Sequence, residues 1–341
     1  MPLKSIEELT ALAAAALKAH GASDRMARTT AGYLAAADVQ GLPTHGVMRV
    51  ASYCGHLGVN RANGAAVPRI VNEKPAACLI DAGNGLGFEA CEMAVAQAVA
   101  RARTQGMGFA GVTNSHHCGA LGILLEPVAA AGMVGLGFSN ASSAIMPWGG
   151  TRAIFGTNPV AAVFGRKNAP PIVVDLSLTQ VTRGQIMLNV KEGKPIPDGW
   201  GMDKDGNPTN DAQKILVGGS LYAVGGLKGT MLALAVELLC CALTGAALSH
   251  EVASMHTNEG PPLRLGQAFI AIDPGALAGR EVYFERVETL VAAILADEGV
   301  RLPGDRRHAL RAQAQATGVE VSAELEQQLR ALAQARVPGQ A

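Results

Sequence analysis

The chain of 341 residues has few aromatic side chains and little charge. Only 4% of its residues are aromatic and 16% are charged, and its 28 basic side chains balance 28 acidic ones. With a formal net charge of zero, the chain lacks the excess of positive charge expected of a nucleic-acid-binding protein. Because 49% of the residues are hydrophobic, the chain can form a large core, and global disorder is excluded.

Long hydrophobic runs and paired cysteines are also missing. The most apolar stretch, residues 230–248, contains Glu237 and follows Lys228, so we predict a buried helix there rather than a membrane span. Two acids near the N-terminus occupy the place of the apolar part of a secretory peptide, which predicts a cytoplasmic protein. The six cysteines form no C-x-x-C pair, so we expect reduced thiols and no metal site.

Residues 113–122 hold two adjacent histidines, His116 and His117, in the run T-N-S-H-H-C-G-A-L-G. The apolar segment before them predicts a short buried strand, and residues 120–131 predict a helix. Histidine titrates near neutrality, so a histidine at a strand-to-helix junction is a candidate for proton transfer. Two ordinary turn histidines are the alternative.

A second polar cluster, Thr44-His45 with Arg49, lies in the stretch of residues 38–53. Arg49 follows His45 at i+4, so the two would share a face of a helix that starts near Pro43. Arginine can clamp a carboxylate through two hydrogen bonds while histidine moves a proton. The alternative is a helix start capped by Thr44 with a surface arginine.

Residues 76–104 predict a strand, a glycine-rich turn and a long helix. Gly83 and Gly85 match the first two positions of the dinucleotide-binding fingerprint, but the third position falls on Phe88. No isolated acid ends a second strand about twenty residues further on. The pattern therefore argues against a classical Rossmann site.

Candidate anion-binding residues lie in the second half of the chain. Lys228 precedes an apolar helix, where its charge opposes the helix dipole unless a phosphate or carboxylate lies nearby. Arginines in residues 301–308, R-L-P-G-D-R-R-H, could pair with a cofactor phosphate or belong to a solvated loop. Asp175 ends a predicted strand, where it could orient a histidine or a ribose, or cap a helix. The turn-rich residues 191–210 predict a surface excursion, a candidate lid.

Several blocks follow one another in a recognisable order along nearly the whole chain. They are T-H-G-V-M-R (44–49), N-S-H-H-C-G (114–119), P-W-G-G (147–150), G-T-N-P (156–159), V-D-L-S (174–177), P-D-G-W-G-M-D-K-D-G-N-P-T (197–209), G-G-L-K-G (225–229), G-Q-A-F (266–269) and L-P-G-D-R-R (302–307). In this order they resemble the type-2 malate/L-lactate dehydrogenase family, which consists of NAD(P)-dependent oxidoreductases unrelated in fold to the Rossmann dehydrogenases.

The resemblance implies an α/β (α+β) fold with a non-Rossmann NAD(P)-binding domain and a mixed sheet. It places an NAD(P)-binding domain at residues 76–289, with a turn-rich excursion at 190–212. Residues 1–75 and 290–341, from both chain ends, would form a helical domain for substrate binding and dimerisation. It also implies a homodimer with each active site near the interface, and no metal.

The resemblance assigns roles residue by residue. His45, His117 and Thr44 would be catalytic, and Arg49, Thr157 and His116 would bind the substrate. NADP(H) is favoured over NAD(H) because Arg183 and the arginines of residues 301–307 offer positive charge for a 2′-phosphate. The residues implied along the cofactor are Ser115, Asn140, Asp175, Leu176, Ser177, Lys228, Arg301, Gly304, Arg306 and Arg307.

The implied reaction is hydride transfer to C2 of a small carboxylate. Three segments most resemble those of reductases that convert Δ1-piperideine-2-carboxylate and Δ1-pyrroline-2-carboxylate to L-pipecolate and L-proline. They are the N-S-H-H run, residues 126–129 and residues 236–245. Three positions depart from that pattern, namely Thr44, Cys118 and Gln185. The alternatives are a 2-hydroxy acid dehydrogenase acting on malate, lactate, sulfolactate, ureidoglycolate or a sugar keto acid, and an inactive member that serves as a binding protein.

Overall fold

The N-terminal helices begin at the predicted caps. In the computed structural model, which describes residues 3–335, strand β1 (Leu3–Lys4) leads into α1 (Ile6–Ala19) and then α2 (Asp24–Val39). The pattern Ser5-x-x-Glu8 predicts a capping box, which the structure confirms with two hydrogen bonds of 3.1 Å. With Ser23 as its cap, a second helix is predicted through Ala36. Helix α2 continues to Val39 and ends before Gly41, which has a φ of 71°.

Two 3-10 turns, Pro43–His45 and Val47–Arg49, replace the helix predicted to start near Pro43. The carboxylate of Asp38 lies between them and accepts a 2.7 Å hydrogen bond from the backbone N–H of Val47. A Cβ at Gly46 would lie 2.0 Å from Asp38 Oδ1, so only glycine allows this approach. Helix α3 (Val50–Gly58) starts directly after the second turn.

A seven-stranded mixed sheet forms the centre of the molecule. Its neighbours run in the order β2-β3-β4-β10-β5-β6-β7. The pair β3–β4 is parallel and the other neighbouring pairs are antiparallel. The strands are β2 (Arg69–Lys74), β3 (Ala77–Asp81), β4 (Met107–Ser115), β5 (Val134–Ser139), β6 (Val160–Phe164), β7 (Ile172–Leu176) and β10 (Leu265–Ile272).

One edge of this sheet collects the strand ends that carry candidate site residues. Ser115 at the end of β4 pairs with Leu265 at the start of β10. Leu176, at the end of β7, pairs with Val160, at the start of β6, and Ser139 ends β5 on the same side. The histidine loop, the G-T-N-P turn and the segment 175–177 therefore emerge side by side.

Helices cover one face of the sheet. Helix α4 (Gly87–Gln105) buries Ala90, Ala94, Ala98 and Ala102 against it, at the i, i+4 spacing of one helix face. The helix predicted at residues 120–131 is instead two pieces, α5 (Leu121–Leu124) and α6 (Glu126–Ala130). The break follows from Pro127, which has no N–H and lies in the first turn of the second piece.

The excursion predicted at residues 190–212 contains little regular structure. Helix α7 (Arg183–Glu192) precedes it, strand β8 (Gly201–Met202) crosses it, and α8 (Ala212–Leu216) ends it before β9 (Ser220–Leu221). Strands β8 and β9 pair with each other and not with the central sheet.

The apolar helix after Lys228 is half exposed, which corrects the prediction of a buried helix. Helix α9 (Leu227–Glu237) continues as a π-turn over Leu238–Ala242. Its inner side packs on the sheet, with Ala233, Val236 and Cys240 buried. On the outer side Met231, Leu232 and Leu243 are 60%, 56% and 63% exposed. An apolar run can thus be buried on one face alone.

Glu237 connects α9 to the G-T-N-P turn. Its buried carboxylate accepts hydrogen bonds from Asn158 Nδ2 at 2.8 Å and from Ser249 Oγ at 2.7 Å. Asn158 has a φ of 38°, an uncommon conformation for a residue with a side chain. This buried carboxylate therefore holds the turn that presents Thr157.

The two chain ends meet around α1. Helices α10 (Arg280–Ile294), α11 (Asp305–Thr317) and α12 (Ala323–Gln334) follow the sheet, and β11 (Val319–Glu320) pairs antiparallel with β1. Leu329 of α12 shares a core with Leu9 and Leu17 of α1.

The predicted mixed-sheet fold class is confirmed, whereas the division into two domains stays a prediction. Residues 1–2 and 336–341 of the predicted helical domain lie outside the described residues. Among residues 3–335 no helix has the length and apolarity needed to cross a bilayer.

Candidate active site

The structure brings together the two polar clusters predicted from the sequence. The loop after β4 carries His117, and the first 3-10 turn carries His45. Their rings stack with centroids 5.6 Å apart and an interplanar angle of 27°. Residues 72 positions apart in the chain thus form one site, because the N-terminal turns pack over the edge of the sheet.

His117 receives two hydrogen bonds on the same ring nitrogen. The hydroxyl of Tyr53 lies 2.6 Å from Nδ1, and the backbone N–H of Gly119 donates to it at 3.2 Å. Burial, together with the positive charges of Arg49 and His45, holds the pKa of His117 well below its usual value. His117 is therefore neutral in this site at pH 7.

His45 has a different partner, the hydroxyl of Thr44, which lies 3.1 Å from Nδ1. A hydroxyl can donate or accept, so this contact allows either protonation state of the imidazole. Burial, with the charges of Arg49 and Arg307, lowers the pKa of His45 to about 4, although Asp175 opposes this shift. His45 thus lies in a mainly cationic environment that an anionic ligand would neutralise.

Arg49 and Arg183 have no acidic partner among residues 3–335. Arg49 Nε donates a 2.7 Å hydrogen bond to the carbonyl of Thr44. Arg183, the first residue of α7, has a buried Nε without a hydrogen-bond partner. A Cβ at the next residue, Gly184, would lie 3.3 Å from Thr44 Cγ2, so the start of α7 lies beside Thr44.

A loop after the π-turn lies close to the same cations. Desolvation and the charges of Arg183 and Arg49 lower the pKa of His256 to about 4. The pKa of His117 is also lowered by the charge of His256. Thr157 lies between β5 and β6 at the same edge, where its carbonyl accepts from the N–H of Leu178 at 2.8 Å.

His116 lies behind the site rather than in it. It is 1% exposed, and its Nε2 lies 2.7 Å from Nδ1 of His56. Because the carbonyl of Thr257 only accepts, and lies 3.0 Å from His56 Nε2, His56 carries its proton on Nε2 and accepts from His116. With so little exposed surface, His116 has no direct contact to offer a substrate. Neighbouring residues of an extended segment point to opposite sides, which separates His116 from His117.

Arg61 completes this buried cluster. Its guanidinium donates to the carbonyls of Ser254, at 3.1 Å, of Pro261, at 3.2 Å, and of Thr257. The cluster therefore anchors residues 254–261, the loop that carries His256.

The segment after β7 and the basic loop pack together. Asp175 forms an ion pair with Arg307 at 2.9 Å and accepts from the N–H of Gly122 at 3.1 Å. The carbonyl of Pro303 accepts a 3.0 Å hydrogen bond from the N–H of Val173. Gly304 has a φ of 102° in this contact. The predicted cofactor residues of the two segments are thus adjacent, although Arg307 already has Asp175 as its partner.

Other predicted cofactor residues have structural partners. Asn140 donates to the carbonyl of Ala247 at 3.0 Å and accepts from the N–H of Gly266 at 2.9 Å, so both ends of its amide are engaged. Ser115 donates to the carbonyl of His116 at 3.3 Å. The hydroxyl of Ser177 lies 3.0 Å from that of Thr179, and Leu176 is 45% exposed.

Three cations remain available to a phosphate-bearing cofactor. Lys228, Arg301 and Arg306 are exposed, and none of them takes part in an ion pair among residues 3–335. Such unpaired cations fit the phosphates of a dinucleotide. A bound nicotinamide cofactor would supply or accept the hydride. No group of three His, Cys, Asp or Glu side chains in the described part of the chain is placed to hold a metal ion.

Several residues of the site are absent from the sequence prediction. Tyr53 and His56 follow the predicted Arg49 at i+4 and i+7, the spacing of one helix face, so their place on α3 was visible in the sequence. His256 and Arg61 come from separate segments, and no local pattern identifies them.

The buried histidine cluster predicts an acid-sensitive fold. Burial, with the charges of His56 and Arg61, lowers the pKa of His116 to about 3, below its unfolded value of about 6.5. The neutral form is therefore favoured in the folded state, and its stabilising contribution is complete above pH 6.5 and is lost as the pH falls towards 3. We expect the unfolding free energy to drop between pH 6.5 and 5, and His116→Gln to reduce this slope by up to ~1.4 kcal/mol per pH unit.

Urea denaturation at a series of pH values measures this slope. The exposed His250 provides the control, and His250→Gln should leave the pH dependence unchanged. An equal slope in wild type and His116→Gln would contradict a neutral His116 in the fold.

The comparisons with known proteins agree with this geometry. A family model described as malate/L-lactate dehydrogenase matches residues 4–330. The (2R)-3-sulfolactate dehydrogenase (NADP(+)) of Chromohalobacter salexigens is 39% identical over 333 residues, 98% of each chain. The Δ1-pyrroline-2-carboxylate/Δ1-piperideine-2-carboxylate reductase of Pseudomonas putida is 36% identical over 95% of this chain and 94% of its own.

Solved structures of such enzymes share the fold. The Δ1-piperideine-2-carboxylate reductase from Pseudomonas syringae superimposes with a TM-score of 0.92 at 34% identity, over 97% of this chain and 100% of its own. The sulfolactate dehydrogenase from Methanocaldococcus jannaschii superimposes with a TM-score of 0.88 at 31% identity, over 97% and 96% of the two chains. The stacked histidines and the arginines without acidic partners are consistent with these matches. The chain therefore belongs to the malate/L-lactate dehydrogenase family and is an NAD(P)-dependent oxidoreductase.

Proposed function

We propose that the protein reduces C2 of a small 2-oxo or cyclic 2-imino carboxylate with NADPH. The observation that carries this proposal is the stacked pair His45–His117 beside Arg49, a cation without an acidic partner among residues 3–335. Arg49 would bind the carboxylate next to C2 and so orient that carbon, while the histidine pair would provide the proton that the heteroatom gains. Retention of all three groups argues against an inactive binding protein.

The choice of NADPH rests on charge and on the relatives. Lys228, Arg301 and Arg306 are exposed and lack acidic partners in the described structure, which suits a cofactor with an additional phosphate. The relative from Chromohalobacter salexigens is named as an NADP(+) enzyme. A comparison of NADPH and NADH at equal concentrations tests this choice directly.

Cyclic imino acids are the first candidate substrates. Two supports are the name of the Pseudomonas putida relative and the TM-score of 0.92 to the Pseudomonas syringae reductase. Such substrates carry a single carboxylate, for which Arg49 is sufficient.

A specific observation favours a second candidate, a 2-oxo acid with two anionic groups. Arg183 has a buried Nε without a hydrogen-bond partner, and the charges of Arg183 and Arg49 both act on His256. A buried donor without a partner costs free energy, and a second carboxylate or a sulfonate on the substrate would satisfy it. Sulfopyruvate and oxaloacetate have this chemistry.

The test is oxidation of NADPH with a panel of substrates: the two cyclic imines, pyruvate, oxaloacetate and sulfopyruvate. Turnover of any member at C2 supports the proposal, and a preference for an imine or for a dianionic acid decides between the candidates. Absence of turnover with every member, with either cofactor, would reject the reductase.

Arg49→Ala should mainly weaken substrate binding. Loss of one partner of a buried charge pair costs roughly 2–5 kcal/mol, so KM should rise about 30-fold or more while kcat changes less. Steady-state kinetics with the best substrate of the panel measure this effect, and Arg28→Ala on the exposed side of α2 is the control. A KM close to that of the wild type would exclude Arg49 as the carboxylate ligand.

Arg183→Gln tests the second anion site. If the substrate is dianionic, the variant should lose at least about tenfold in kcat/KM for oxaloacetate or sulfopyruvate, the loss of one charged hydrogen bond. The value for pyruvate should change little, because pyruvate has no second anion. Equal losses for all three acids would show that Arg183 does not contact a second charge.

We also propose that the protein is a homodimer, through the exposed face of α9. Apolar side chains clustered on one surface are typical of protein interfaces. Those on this face and the π-turn are Leu227, Met231, Leu232, Leu234, Leu238 and Leu243, which are between 39% and 63% exposed.

The double variant Met231→Glu/Leu232→Glu should convert the dimer to a monomer, because two charges would be buried without partners. Light scattering coupled to gel filtration gives the mass of each species. Leu277→Glu, at a position 79% exposed outside this face, is the matched control and should stay dimeric. A wild-type protein of monomer mass would refute the dimer.

A further inference from the structure

Two donors converge on one ring nitrogen of His117. Tyr53 Oη lies 2.6 Å from Nδ1, and the backbone N–H of Gly119 donates to the same atom at 3.2 Å. An amide N–H can donate but cannot accept, so Nδ1 must present a lone pair to Gly119. Burial raises the pKa of Tyr53 further above its usual value, so its phenol keeps its proton and also donates. Nδ1 is therefore unprotonated.

The remaining ring nitrogen, Nε2, carries the proton of neutral His117. No group of residues 3–335 forms a hydrogen bond with Nε2, and it is not among the buried polar atoms that lack a partner. His117 is half-buried, so Nε2 faces the open side of the site, next to the stacked ring of His45.

The surroundings of His117 disfavour a second proton on its ring. Each neighbour that affects its titration is basic or neutral, and desolvation acts in the same direction. The groups that face it are Arg49, His45, His116 and His256 through their charges, and Tyr53 through its phenol.

We propose that Tyr53 is a positioning residue that keeps His117 as the neutral Nε2–H tautomer, so that His117 donates a hydrogen bond to the heteroatom at C2 and does not transfer a proton. This role rests on the proposed C2 reduction. A neutral histidine that lost its Nε2 proton would become an imidazolate, which is far too basic to form here. The hydrogen bond of His117 instead draws electron density from C2 as the hydride arrives.

The proton that the product heteroatom gains then passes through His45. Its single partner in the described structure is the hydroxyl of Thr44, which accepts from or donates to Nδ1 and so permits both charge states. A substrate carboxylate on Arg49 would cancel the charge that opposes protonation of His45. The protonated ring loses one proton to the heteroatom as C2 receives the hydride, and solvent restores it.

The packing of Tyr53 makes this arrangement rigid. Its ring is fully buried, and it makes edge contacts with Phe88 and His116, with centroids 6.1 and 5.6 Å away. The phenol oxygen is thus held at Nδ1 of His117 by the aromatic cluster. Phenylalanine would keep these ring contacts and remove only the hydrogen-bond donor.

The test is ¹⁵N NMR of histidine-labelled full-length protein, wild type and Tyr53→Phe, from pH 5 to 8. Two-bond proton–nitrogen correlations distinguish the two tautomers and the cation, and His117→Asn identifies the signal. The wild type should show the Nε2–H tautomer of His117 over the whole range. In Tyr53→Phe, Nδ1 keeps only the longer 3.2 Å hydrogen bond from Gly119, so the Nδ1–H tautomer or the cation should become detectable. The value of kcat should fall about 10- to 100-fold, below the ~10⁴-fold loss caused by a wrong tautomer of a catalytic histidine.

Tyr33→Phe is the matched control. Tyr33 also stacks on Phe88, at 5.9 Å, but makes no contact with His117, so both readouts should equal those of the wild type. An Nδ1–H tautomer in the wild type, or an unchanged His117 signal in Tyr53→Phe, would overturn the proposal. The NMR readout needs no substrate, so a protein that keeps this tautomer but turns over no member of the panel would reject the reductase and retain the role of Tyr53.

Discussion

The active site depends on the contact between Asp38 and the turns of residues 44–49, which holds these turns over the edge of the sheet. Asp38 makes this possible, because its carboxylate binds the N–H of Val47 and fills the space that a side chain at position 46 would need. Burial raises the pKa of Asp38 to about 7, in spite of the hydrogen bond from Val47. Without these turns, His117 would lie at the end of a strand with neither a stacked partner nor a nearby guanidinium.

Charge within the site is strongly one-sided. Arg49 and Arg183 have no acidic partner in the described structure, and the acid that acts on His45, Asp175, is already paired with Arg307. The imidazoles are therefore held neutral in the absence of an anion, and binding of an anion would raise their proton affinity. In such a site, substrate binding itself prepares the proton donor.

The sequence predicts strands β3, β4 and β7, the caps of α1 and α2 and the family, because each of these depends on local patterns. It predicts that His45, Arg49 and His117 belong together through the resemblance, since no spacing rule joins residues so far apart. Two predictions were wrong: one continuous helix at residues 120–131, and a helix after Lys228 buried on all sides. Apolar periodicity shows neither where a helix breaks nor whether another part of the protein covers its outer face. The positions of Tyr53, His56 and Arg61 depend on tertiary contacts, and only the first two had a signal, on the face of α3.

The clamp formed by Arg61 and His56 has a consequence for how the site can diversify. Both side chains bind residues 254–261 through main-chain carbonyl oxygens, which every amino acid provides. These contacts fix the backbone without using the loop's own side chains, whereas the loop carries His256 to the arginines. A substitution at His256 would therefore change the wall of the pocket while these backbone contacts remain.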